Sequence, residues 1–136
     1  ETFFSILEVL GVTPEQFFSQ QPLEQKIVYN EEESTLYYDE EHGYELKWLI
    51  PASNEKEMEP VIITFDKNGE YKTFEPSLSE TFIYVIDGSI RLILGEATYI
   101  AKKGQTMYYQ ATEPHQLRNI GRQKSRALIV VTDSYL

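Results

Sequence analysis

Cysteine is absent from this 136-residue chain. Its absence excludes a disulfide framework and any thiolate metal site, so the fold must rest on apolar burial. Histidine occurs only twice, so imidazole chemistry falls to His42 or His115. No apolar run reaches the roughly 20 residues of a spanning helix, and no signal-peptide pattern is present. The expectation is a soluble, cytoplasmic protein with no membrane partner. Basic residues are also scarce, 12 Lys and Arg against 22 Asp and Glu, for a net charge of −10. Such a field argues against this segment gripping nucleic acid directly, because phosphate contacts need Lys and Arg.

What is present is enough for one folded domain. Hydrophobic residues make up 41% of the chain and aromatics 13%, including ten Tyr, which supports a core. Charge is uneven: residues 31–59 hold ten acids and two bases, whereas residues 102–126 hold six bases and one acid. Two solvated faces account for this, and complementary docking between protomers or onto another domain is the sharper reading.

The opening "ETFFSILEVLGVTPEQFFSQ" has the texture of helix. Phe3, Ile6, Leu7 and Leu10 recur at three- and four-residue spacing, and Gly11 stands where a helix stops. Thr13 before Pro14 and Glu15 forms an N-terminal cap for a second short helix carrying Phe17 and Phe18. The chain starts in what reads as the middle of a helical unit, and a fragment is expected. Beyond about residue 26 the pattern changes to strands. "TLYYDEEHGYELKWLIP" reads as a hairpin turning at Gly43, with Tyr44, Leu46, Trp48 and Ile50 alternating. Further turns are marked by Asn68-Gly69, Asp87-Gly88 and Gly95. Many short strands at regular intervals predict an antiparallel barrel or sandwich.

"GEYKTFEPSLSETFIYVIDG" then supplies a spacing with meaning. Gly69 is followed at fixed intervals by Glu75, Ser77, Thr81 and Gly88, and Gly104 by Gln110, Thr112, His115 and Asn119. These two runs resemble the cupin motifs G-x5-H-x-H-x3-E-x6-G and G-x5-P-x-G-x2-H-x3-N over roughly residues 35–133. The resemblance implies a mainly β, jelly-roll β-barrel, here preceded by the two short helices. Cupins typically hold a metal with three His and one Glu. In this chain Glu75 and Ser77 fill the first two His positions and Thr81 the Glu position, leaving His115 alone. One imidazole and one carboxylate make a poor site for a divalent metal, so neither metal nor cofactor is expected. Glu80 offers no replacement, since neighbours on a strand face opposite ways.

Alternation from the motif positions places Glu75, Ser77, Thr81, Ile83, Val85, His115 and Leu117 inward, with Tyr109 beside them. Glu75, Ser77, Thr81, Tyr109 and His115 are therefore the candidate ligand-binding residues of a mixed pocket with an apolar floor. His115 is expected beside unfilled volume, and a closed barrel filled with side chains around it would end ligand sensing in that form. His42, in the acidic turn "DEEHG", reads as a surface residue, and Asn119 as the holder of a turn.

"FFSILEVLGVTPEQFF" resembles the last helices of XRE-family helix-turn-helix domains, whose regulators commonly carry a cupin that senses effectors and dimerises. The resemblance implies three parts. Residues 1–20 end a DNA-binding domain, residues 21–34 are a linker and first strand, and residues 35–136 are an effector-sensing cupin. The expected protein is a homodimeric transcription regulator, not an enzyme, which binds a small-molecule effector and meets DNA through an upstream domain outside this chain. Two alternatives are a cupin isomerase or epimerase using His115 as general base, and a pure dimerisation module.

Overall fold

The structure, a computed structural model, describes residues 25–136. The two helices expected over residues 1–20 lie outside that range. Nine strands follow: β1 (Thr35–Asp39), β2 (Tyr44–Trp48), β3 (Met58–Phe65), β4 (Glu80–Asp87), β5 (Ser89–Leu94), β6 (Ala97–Lys102), β7 (Thr106–Gln110), β8 (His115–Asn119) and β9 (Ser125–Thr132). The only helical turns among the described residues are short 3-10 turns at Glu31–Glu33 and Ser53–Glu55. No described helix is long and apolar enough to cross a membrane.

The strands form a six-stranded sheet in the order β1-β2-β3-β9-β4-β7 and a three-stranded sheet β6-β5-β8. All pairings are antiparallel. The segment after β3 lines the free edge of β8: Asn119 N–H donates to Gly69 O at 2.9 Å, Tyr71 N–H to Leu117 O at 2.9 Å and Phe74 N–H to His115 O at 2.8 Å. The smaller sheet thus gains a fourth, irregular member that helps close it over the larger one.

Period-two patterning builds the core. On β3 Val61, Ile63 and Phe65 are buried, on β4 Ile83 and Val85, and on β9 Ala127, Ile129 and Val131. Their inward faces meet Ile90, Leu92 and Leu117 of the smaller sheet. Removing each of the larger side chains from water contributes roughly 2–3 kcal/mol. The hairpin expected around Gly43 is present, with that glycine at φ +72°.

Candidate functional site

One end of the barrel carries polar side chains on its inner surface. Strand register aligns Glu59 with Val131, Val131 with Thr81, and Thr81 with Tyr109. These four residues form a row across β3, β9, β4 and β7. Opposite them, at the start of β8, lies His115, 2% exposed. Its ring stacks on Phe74 with centroids 5.3 Å apart, and meets the edges of Tyr135 at 5.0 Å and Tyr109 at 5.8 Å.

The hydrogen bonds of His115 determine its tautomer. Its Nδ1 lies 3.1 Å from the Glu113 carbonyl oxygen. A carbonyl only accepts, so Nδ1 carries the proton and Nε2 presents a lone pair. Nε2 is buried and has no partner among the described residues. Burial also pushes the pKa of His115 below its ordinary value, against the opposing pull of the Glu113 carbonyl. The ring is therefore neutral near pH 7, an unfilled hydrogen-bond acceptor in an aromatic lining. The Tyr71 hydroxyl, buried beside Phe74, is likewise without a partner among the described residues.

The centre of this mouth is occupied by Tyr135. Its hydroxyl is 2.6 Å from Thr81 Oγ1, and its ring touches Phe74 at 4.9 Å between centroids. The preceding Ser134 donates to Glu59, whose other oxygen accepts from Ser53 Oγ at 3.2 Å. Burial raises the pKa values of Tyr135 and Tyr109, so both hydroxyls stay protonated. Outside the tail, a groove of about 590 Å³ is lined by Trp48, Pro51, Glu59, Ser134 and Tyr135 among others.

The inward faces of Thr81, Ile83, Val85, His115 and Leu117 agree with strand alternation, and all five are buried. Tyr109 joins them, half-buried and packed against the core. Glu75 is a correction: it is exposed, because Phe74 takes the inward place and the chain through Pro76 is irregular. Ser77 sits half-buried in that same loop, held by its N–H to Ala111 O at 2.6 Å, and its Oγ accepts from Ser79 N–H at 3.0 Å. The open volume expected beside His115 is also corrected, since the rings of Phe74, Tyr109 and Tyr135 fill it. Sequence reading missed Glu59 and Tyr135. Glu59 had a signal, the alternation with Val61, Ile63 and Phe65, whereas Tyr135 had none.

The donor set does not fit a divalent metal. Glu75 points away, Thr81 is bonded to Tyr135, and His115 is ringed by aromatics. Among the described residues no three His, Asp or Glu side chains are placed to hold an ion. His42 lies at the surface as expected, with Nδ1 2.8 Å from Asp39 Oδ2.

The two histidines predict opposite pH responses. For His115 the folded pKa lies below the ordinary 6.5, so its contribution to stability is intact above that pH and is lost as pH falls. For His42 the Asp39 carboxylate raises the folded value, so its contribution is present below 6.5 and fades as pH rises. Urea unfolding between about pH 5.5 and 7.5 is expected to show His115→Gln flattening the acid-side loss and His42→Gln steepening it. The same slope in both variants would contradict the tautomer and environment given to His115.

The profile of the family described as "Cupin domain" matches residues 62–131. An HTH_3 family transcriptional regulator from Vibrio cholerae aligns with a TM-score of 0.64 at 16% identity, covering 96% of this chain and 70% of that one. The polyketide cyclase RemF from Streptomyces resistomycificus aligns with a TM-score of 0.63 at 20% identity, covering 81% of each chain. The Schizosaccharomyces pombe Cnp3 cupin domain aligns with a TM-score of 0.58 at 13% identity, over 67% of this chain. This chain spans only 61% of that domain's length. No curated protein matches. These likenesses correct one expectation: the sequence was read as a non-enzyme, yet the neighbours include a cyclase beside the regulator.

Proposed function

The chain belongs to the cupin domain family, and from that premise we propose that it is the effector-binding part of a transcription regulator, with the mouth around His115 as the effector site. The buried Nε2 of His115, partnerless among the described residues, carries this reading. Leaving a buried acceptor unpaired costs about 1–3 kcal/mol, which a ligand hydroxyl or amide N–H would recover. Thr81 and Tyr109 supply further hydrogen bonds within reach of the same space. The match to the Vibrio regulator over 96% of this chain and the likeness of residues 1–20 to the end of an XRE domain support the regulatory context. The mechanism is linkage: an effector that favours one arrangement of the regulator shifts operator affinity by its differential binding.

The filled mouth changes the form of the idea. Ligand entry requires Tyr135 to give way, so binding couples to movement of the segment that carries it. A thermal-shift screen of small polar aromatics and hydroxy acids is expected to yield ligands that raise the melting temperature of the wild type. In His115→Leu, which keeps most of the volume and removes the acceptor, their affinity is expected to fall about tenfold, the worth of one lost buried hydrogen bond. Unchanged affinity would remove His115 from the site. A homodimer is part of the same proposal. Strand β1 is an edge that pairs only with β2 among the described residues, and it exposes Leu36, Tyr37 and Tyr38, a surface suited to a second copy. Light scattering at tens of micromolar that returns a monomer mass would contradict it.

A second reading is favoured by the protonation states at the mouth. A neutral imidazole with a free lone pair beside protonated Tyr109 and Tyr135 is an acid–base pair capable of moving a proton on a bound substrate. In that case turnover would fall on the acid side of the pH profile, as His115 gains a proton, and His115→Gln would abolish it.

A further inference from the structure

The last described residues occupy the space that a ligand of the mouth would need. After β9 the chain turns at Asp133, whose φ is +48°, and Ser134 and Tyr135 fold back over the barrel end. Among the described residues no backbone–backbone hydrogen bond ties residues 133–136 to a strand. Side chains alone hold the segment: Ser134 on Glu59, Tyr135 on Thr81, and the ring among Phe74, His115 and Tyr109. Tyr135 itself remains only partly buried.

We propose that Tyr135 is a displaceable plug, and that the mouth accepts a phenolic ligand whose ring and hydroxyl replace its own. The inference rests on the reading of the mouth as a ligand site. The lining specifies the class. Phe74 and His115 offer aromatic faces and edges to a flat ring, and the Thr81 hydroxyl accepts or donates at the far end. His115 Nε2 stands as an acceptor that Tyr135 leaves unused. A second donor on the ligand, a further hydroxyl or an N–H, would satisfy it and give the ligand an advantage that the plug lacks. Displacement frees residues 133–136 from the barrel, so occupancy of the site is converted into release of a segment at the surface.

The test uses p-cresol, the tyrosine side chain without its backbone. Ligand affinity is reduced by the fraction of molecules with an open mouth. If the plug is seated nine-tenths of the time or more, Tyr135→Ala should bind p-cresol at least about tenfold more tightly than the wild type. Toluene, which lacks the hydroxyl, should bind that variant more weakly than p-cresol. In the wild type, saturating p-cresol should move the Tyr135 ring signals, assigned by their loss in Tyr135→Phe, to solvent-exposed positions. Tyr135→Phe keeps the ring and loses the bond to Thr81, so it should sit between the other two, about threefold tighter than the wild type. This intermediate covers the case in which the alanine variant fails to fold.

Equal affinity in wild type and Tyr135→Phe, or binding to the wild type with the Tyr135 ring unmoved, would overturn the plug. If other ligands from the screen still lose affinity in His115→Leu, the effector site survives and only the phenol plug falls. If no ligand responds to either residue, both fall.

Discussion

Replacing Asn119 by alanine is expected to lower stability by about 3–4 kcal/mol, the largest loss from removing a single polar side chain here. The residue is 1% exposed at the end of β8, far along the barrel from the mouth. Its Nδ2 donates to Asp66 O at 2.9 Å and Gln123 O at 2.8 Å, while its Oδ1 accepts from Gly121 N–H at 2.8 Å and Ser125 Oγ at 2.7 Å. All four capacities of the amide are used. Alanine leaves the Gly121 N–H without this acceptor and opens the turn between β8 and β9. Asn119→Asp is expected to be no rescue, because it restores the acceptors but sets a carboxylate against two carbonyls. Urea denaturation measures both. A loss under about 1 kcal/mol for the alanine variant would show that the turn stands without its clamp.

Gly88→Ala is expected to cost about 3 kcal/mol or more, from two causes that separate experimentally. Gly88 turns β4 into β5 at φ +82°, and an added Cβ would lie 2.0 Å from Ser125 Oγ and 3.0 Å from its Cα. Ser125 cannot withdraw, since it is fully buried and its hydroxyl is bonded to both Ser89 and Asn119. Gly104 is the control. It has a similar φ of +86° with nothing within 4 Å of the added carbon, so Gly104→Ala pays for left-handed backbone alone, about 1 kcal/mol. The difference between the two variants, read as melting temperatures, isolates the clash. Equal losses would show that Ser125 yields.

Gly69, Gly88 and Asn119 are positions where backbone approaches backbone or a turn is clamped. At Gly69 an added Cβ would fall 2.1 Å from Gly43 O. Their role is architectural.

The sequence by itself determined the strand faces, the turns and the family. Alternation along "TFIYVID" turned Thr81, Ile83 and Val85 inward, because side chains on a strand face opposite sides in strict succession. Gly43 and Gly88 marked turns, because they supply the positive φ that L side chains resist. That logic stops where the strand stops. Glu75 falls in an irregular loop before Pro76, outside any ladder, so counting from Gly69 gave its position in the chain but not its direction. Tertiary structure alone decided the contents of the mouth. The partners of Tyr135 are Thr81, Phe74, Tyr109 and His115, between 20 and 61 residues away in sequence. No local pattern encodes contacts at that range. They exist because β9 lies between β3 and β4 and delivers the segment after Asp133 to the open end of the barrel.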